Sequence, residues 1–286
     1  MPSRSPAGRT TGRSRPRCDP PVSAPPPTDW DGRTYDRVSL PQQEWAQSVL
    51  ERLPLRGDEV VLDAGCGSGR VTKELLDRVP DGRVIGIDGS PSMVETAREV
   101  LAGEERATLI VSDLLEVSPG LLEGEGAGGE VDAVFSNATF HWIRDHEALF
   151  RALRSVMRPG ARLVAQCGGR GNVAEWVAVI EELASREPYA EHLRGVNAWN
   201  FYGPEETGER LAAAGFREIR TGLVEVPPVE PEDPREFART VGLAAHLDSL
   251  PEELRDPFTD EVVEGLGEPF RLAYIRLNID AVAGNA

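Results

Sequence analysis

From residue 59 onward, short apolar runs alternate with stretches whose apolar residues recur every three or four positions, the pattern of a parallel sheet with crossover helices. The runs predict strands over 59–64, 83–88, 107–111, 131–136 and 161–167. Val71, Leu75, Leu76 and Val79 mark one intervening helix; Met93, Val94, Ala97, Val100 and Leu101 mark the next, with Ser90 and Pro91 as its cap and first residue. The third interval holds GEGAGGE, residues 124–130, so its helix is short or absent. An earlier helix carries Trp45, Val49 and Leu50 after Pro41.

Past the fifth strand the alternation breaks. Residues 170–200 are polar and dotted with Trp176, Tyr189, Trp199 and Phe201. Order resumes with a helix over 204–214, a stop at Gly215 and a strand over 216–225. A Pro-rich link at 227–234 leads to helices near 235–247 and 251–265. In the last run, 270–282, Ala273, Ile275, Leu277 and Ile279 share one face, with Arg276, Asn278 and Asp280 on the other. That alternation predicts a strand with one wet face, antiparallel and at or near the sheet edge. The expected fold is α/β: a doubly wound, mostly parallel seven-stranded sheet with an antiparallel C-terminal strand and helical lid insertions at about 170–200 and 230–266.

Charge divides the chain. Residues 1–28 contain five arginines against Asp19 and almost nothing apolar, which predicts a disordered basic tail before a domain spanning 29–286. Of the net charge of −17, the tail carries about +4 and the remainder about −21. So acidic a body repels phosphate backbones and argues against nucleic acid as the main substrate, although the tail could touch an anionic partner. No stretch approaches the roughly 18–20 apolar residues of a membrane helix, and the N-terminus lacks a signal-peptide core, so a cytoplasmic protein with no membrane contact is expected. Cys18, Cys66 and Cys167 are odd in number and lack CxxC spacing, suggesting neither a disulfide framework nor a zinc knuckle.

The segment VVLDAGCGSG, residues 60–69, places Gly65, Gly67 and Gly69 between a buried strand and a helix, where backbone can approach a nucleotide-like ligand closely. A dinucleotide fingerprint wants its third glycine at 70, but Arg70 stands there, which disfavours NAD. Asp88 ends the second strand in GIDGS, where a carboxylate can accept both hydroxyls of a ribose. Asp113 follows the third strand in SDLLE, placed to meet an adenine amino group. Either acid alone reads equally as a cap or turn former. With Asp63 on the first strand, three acids at the ends of successive strands form a binding constellation.

DAGCGSG, then GIDGS with Met93 five residues past Asp88, then SDLLE resemble, in order and spacing, the class I S-adenosylmethionine-dependent methyltransferases over about residues 30–225. The resemblance implies a Rossmann-like fold and S-adenosyl-L-methionine as cofactor, with Gly65, Gly67 and Gly69 under its methionine part. It further implies that Asp63 orders the turn and approaches the methionine amino group, that Asp88 with Gly89 holds the ribose, that Asp113 faces the adenine, and that Met93 and Leu114 sandwich the ring. YDRVSLPQQEW, residues 35–45, resembles the family's N-terminal lid, which carries Tyr35 and Gln42 to the cofactor.

FSNATFHWIRDH, residues 135–146, resembles the trans-aconitate methyltransferase group, and more loosely the malonyl carrier-protein and juvenile-hormone-acid methyltransferases. These relatives methylate carboxylates, which implies a small acidic acceptor. The end of the fourth strand lies where an open sheet gathers ligands, so Asn137, Phe140, His141 and Trp142 are expected where cofactor and acceptor meet. His141 reads as acceptor-positioning group, general base, or packed histidine; Trp142 reads also as core. An ionised carboxylate needs no base, so positioning and exclusion of water carry much of the catalysis. Arg33, Tyr35, Arg170, Arg194 and Tyr202 are candidate donors to it. Ser136, Asn137 and the run QCGG replace the acids of metal-dependent relatives, and no metal is predicted. Methyl transfer to nitrogen, carbon or phenolic oxygen of a small natural product, or cofactor binding without catalysis, are the alternatives.

Overall fold

The computed structural model describes residues 40–285, with side chains from Trp45 onward. The expected disordered tail, Arg33 and Tyr35 lie outside the described residues, and of Gln42 only the backbone is described. Helix α1 spans Leu40–Arg52, followed by strand β1, Val60–Ala64, and α2, Arg70–Arg78. Next come β2, Arg83–Asp88, α3, Pro91–Val100, and β3, Ala107–Val111. The Gly-rich interval holds only the six-residue α4, Pro119–Gly124. Then follow β4, Val131–Asn137, α5, His146–Ser155, and β5, Met157–Gly168. Beyond these lie α6, Ala174–Ala184, α7, Ala190–Leu193, α8, Pro204–Ala213, and β6, Phe216–Val229. The chain ends with α9, Pro234–Phe237, α10, Ala244–Ser249, α11, Glu252–Leu266, and β7, Leu272–Ala283.

The seven strands form one sheet in the order β3-β2-β1-β4-β5-β7-β6. The first five are parallel, β7 runs antiparallel to β5, and β6 antiparallel to β7. The order reverses between β1 and β4, so the crevice for ligands opens beyond the carboxyl ends of these two strands. Ser90 caps α3 by accepting the Met93 N–H at 3.3 Å, with Pro91 in the first turn, as expected for that pair.

Two sequence expectations change. First, β7 lies near the sheet edge, between β5 and β6, but its polar face is largely covered, with Arg276 buried and Asn278 and Asp280 half-buried. Helix α1 lies across it: Arg52 ion-pairs with Asp280 and donates to the Ala165 carbonyl, and Trp45 covers the Arg276 guanidinium at 4.6 Å. The true edge is β6, most of whose residues are exposed. Second, the helix expected over 235–247 is broken into α9, a wide turn over Ala238–Gly242, and α10. Where the wide turn ends, a Cβ on Gly242 would lie 2.4 Å from the Trp176 ring, so the close packing there requires glycine.

The apolar residues divide accordingly. Flanking the sheet are clusters built on Leu62, Ile85, Val134 and Leu163 on one side and on Val49, Leu75, Val84 and Phe135 on the other. A further core, with Trp176, Ile180, Tyr189, Leu247, Phe258 and Phe270, is made almost wholly from the two insertions and the start of β7.

Candidate functional site

The cofactor end is built by the turn after β1. The Gly65 and Cys66 N–H groups both donate to the Ile87 carbonyl, pulling the turn over the end of β2. Gly65 has φ +85, and a Cβ there would meet Thr139 Oγ1 at 2.1 Å, so both conformation and space require glycine. Gly67 and Gly69 are left-handed as well, and the volume where a Gly67 side chain would begin is open for 4 Å, a cradle for a ligand lying on the turn.

The acids converge here. Asp63 is buried and accepts from the Thr72 hydroxyl at 2.7 Å. Burial, opposed by that hydrogen bond and reinforced by the charge of Asp88, pushes its carboxyl up to about 7. A buried carboxyl held so far above its ordinary range is suited to meet a cation, and the cofactor's amino group is one. Asp88 accepts the Gly67 N–H and the Ser90 N–H, each at 2.9 Å and one on each oxygen, so it ties down the glycine turn itself and keeps a lone pair on each oxygen. Its carboxyl is also raised by burial. Gly89, beside it, is half-buried. Asp113 is exposed and caps a short turn over Leu114–Glu116, accepting the Leu115 N–H at 2.9 Å. Its capping and binding readings are compatible, because one oxygen serves as cap. Met93, in the first turn of α3, and Leu114, just past β3, are buried, Leu114 as part of the main core.

The segment after β4 divides between core and cavity. Ala138 takes φ 57, unusual for a residue with a Cβ, and Thr139 leans on the Gly65 carbonyl at 3.4 Å. Asn137 ends β4 half-buried. Phe140 corrects the sequence expectation. Its ring is fully covered, edge-on to Phe150 at 6.0 Å and to His146 at 6.5 Å, and the one-turn helix that follows β4 drives it into the sheet core.

His141 and Trp142 face the other way, into a small cavity of about 50 Å³ that is partly open to solvent. The segment after β4, the turn after β5, α6, the loop before α8, the stretch from α9 to α10 and β7 all contribute to its wall. Trp142 is therefore cavity wall, half-buried, not core. Trp176, Trp199, Phe201 and Tyr274 supply further rings, and Phe201 stacks on His141 at 5.8 Å. At the wall lies Arg276, only 2 % exposed. Its Nε–H donates to Gln166 Oε1 at 3.4 Å.

The state of His141 follows from its neighbours. Burial, then the charges of Arg276 and His146, hold it well below the usual histidine range, so the ring is neutral. The Gly168 N–H donates to Nδ1 at 3.3 Å. A backbone N–H can only donate, so Nδ1 carries no hydrogen and the ring's one hydrogen sits on Nε2.

Other candidate donors are engaged elsewhere. Arg170 is exposed and ion-pairs with Glu206 at 2.5 Å, Arg194 is exposed, and the Tyr202 hydroxyl donates to the Arg144 carbonyl at 3.1 Å. Sequence reasoning missed Arg276 and Asn172. Strand alternation assigned the first to a wet face, and only the packing of α1 over that face reveals its burial. Among the described residues, no group of three or more His, Cys, Asp or Glu could hold a metal ion. No helix there is long and apolar enough to cross a membrane.

Residues 61–160 match a family profile described as a methyltransferase domain. The chain is 31 % identical over 216 residues to an uncharacterized methyltransferase of Schizosaccharomyces pombe, covering 74 % of this chain and 79 % of that one. It is 28 % identical over 236 residues to a trans-aconitate 2-methyltransferase of Variovorax paradoxus, covering 82 % and 87 % of the two chains. In fold it is similar to the Haemonchus contortus phosphoethanolamine N-methyltransferase 2 in complex with phosphomonomethylethanolamine and S-adenosylhomocysteine, with a TM-score of 0.57 at 18 % identity, over 89 % of this chain and 57 % of that one.

Proposed function

The chain belongs to the class I S-adenosylmethionine-dependent methyltransferases, and on that premise we propose that it O-methylates a small carboxylic acid held in the aromatic cavity. When bound, S-adenosylmethionine supplies an electrophilic methyl group on a sulfonium. Asp63, Gly65, Gly67, Gly69, Asp88, Gly89, Met93, Asp113, Leu114 and Asn137 are the proposed cofactor contacts, with Tyr35 and Gln42 approaching from the N-terminal side.

The observation that carries the acid reading is the hydrogen on His141 Nε2. A ring already protonated there is a donor and cannot accept a proton from the acceptor at that atom. The acceptor must then arrive already deprotonated at the reacting atom, as an ionised carboxylate does and a neutral phenol or an ammonium does not. Arg276 favours the same choice, since a buried guanidinium attracts an anion. The resemblance to trans-aconitate methyltransferases supports it independently. His141 thus orients the acceptor and does not deprotonate it.

The insertions at about 170–200 and 230–266 serve as the lid that keeps water from the acceptor. The net charge of −17 supports a small molecule over nucleic acid as partner. Incubation with methyl-labelled cofactor and a panel of carboxylic acids tests the proposal. A base-labile methyl ester is expected, and a base-stable product would refute it.

A further inference from the structure

We propose that Asn172 and Arg276 form a clamp for the acceptor carboxylate, and that the acceptor is a monocarboxylic acid with a flat, apolar body. The inference rests on the carboxylate reading above and specifies its substrate class.

Asn172 is buried and lines the cavity. Its side-chain Oδ1 accepts the Ile275 N–H at 3.0 Å, and its own N–H donates to the Gly169 carbonyl at 2.9 Å. With the oxygen committed to the backbone of β7, the side-chain NH₂ is the end left to meet a ligand. The next residue along that strand is Arg276. One strand therefore fixes both donors, and their spacing does not depend on a mobile loop. The turn carrying Asn172 is held unusually hard. Val173, a β-branched residue, takes φ 45, a conformation it adopts only when its surroundings impose it, and its N–H donates to the Ala273 carbonyl at 3.0 Å. Ala138, the other non-glycine of the cavity wall at positive φ, faces the same space. Backbone strain gathered at one cavity is a mark of a shaped ligand site.

Charge then selects among acids. Arg276 is the one permanently charged side chain among the described residues lining the cavity. Its planar fork matches the two oxygens of one carboxylate. The remaining wall is largely rings and aliphatic groups, including Trp142, Trp176, Trp199, Phe237, Val241 and Leu272. Such faces accept a flat apolar body. A second or third carboxylate would leave water against indole and phenyl surfaces with no countercharge. The cavity is thus poorly matched to a tricarboxylic acid, although one relative named above is a trans-aconitate 2-methyltransferase.

The test compares trans-cinnamate, octanoate and trans-aconitate as acceptors for the full-length protein with S-adenosylmethionine. We expect kcat/KM for cinnamate to exceed that for trans-aconitate by at least about 100-fold. Asn172→Ala and Arg276→Gln should each raise the cinnamate KM more than about tenfold, with cofactor Kd by calorimetry unchanged within about twofold. Arg276→Lys, which keeps the charge without the fork, should recover part of the loss. Should Arg276→Gln fail to fold, Asn172→Asp decides: a carboxylate facing the acceptor must impair the acid more than alanine does. Equal or better use of trans-aconitate, or an unchanged KM in the Asn172 variants, overturns the inference while ester formation stands. A base-stable product from every acceptor overturns the underlying carboxylate reading instead.

Discussion

The two ends of the crevice are built on opposite principles. Around the glycine turn, buried acids are fixed by short local contacts: Asp63 to Thr72 nine residues on, Asp88 to Gly67 and Ser90. Around the aromatic cavity, a buried guanidinium and neutral histidines are set among rings drawn from α1, the region after β4, both insertions and β7. The cofactor end is acidic, local and parallel in topology; the acceptor end is cationic, aromatic and assembled from distant segments. The acidic end suits a methyl donor bearing positive charge, and the cationic end suits the anionic acceptor proposed above.

Acid should separate the two ends. Asp63, raised to about 7, takes up a proton on folding, so its contribution is full below about pH 4 and is lost as pH rises through 7. His246, buried between Trp199 and Phe258 and lowered to about 4 by burial, has the opposite sign: its contribution is full above pH 6.5 and is lost as pH falls toward 4. His146, also lowered to about 4, donates from Nε2 to the Phe140 carbonyl at the junction of the two ends and follows His246.

The largest effect should come from Phe258→Ala, which empties a fully buried site in the insertion core and should cost about 3–5 kcal/mol in urea unfolding. If the ends are separable, cofactor affinity survives at low denaturant while acceptor turnover falls; equal loss of both would show one indivisible unit. Asp88→Ala comes next, with cofactor binding weakened by about 1.5–3 kcal/mol in calorimetry and acceptor KM little changed. An unchanged cofactor affinity would remove Asp88 from the ribose role. Moving from pH 8 to pH 5 should cost the insertion core about 2 kcal/mol. Hydrogen exchange should then quicken over α10 and α11 before β1 and α2, and His246→Leu should abolish the difference. Smallest, cofactor affinity should fall about tenfold from pH 8 to pH 6 as Asp63 takes up its proton, an effect absent in Asp63→Asn.

This contrast also explains what could be read from the chain. Asp63, Gly65 and Asp88 lie within 26 residues and owe their placement to a strand, a turn and a helix cap, features that period and spacing encode locally. The five parallel strands were legible for the same reason. Phe140 was misassigned because one turn of helix after β4 decides which side of the sheet each of three consecutive residues faces, and spacing in a loop does not carry that information. Arg276 was misread because alternation reports which residues share a face and not what covers it. Trp45, some 230 residues earlier in the chain, supplies the cover. The need for glycine at 242 likewise comes from Trp176, which only tertiary packing brings there.

The sheet ends on β6, with Leu223 and Val224 among its exposed apolar residues. A long uncovered edge invites strand-to-strand sticking between copies. Here the pairing register slips between Arg217 and Arg220 and again between Val226 and Val229, where Pro227 and Pro228 fall. Only Arg220 to Val226 presents an even ladder, and Arg220 and Glu225 stand near its two ends. Among the described residues, the fold therefore leaves only a short, charge-flanked stretch of β6 suited to edge-on pairing between copies.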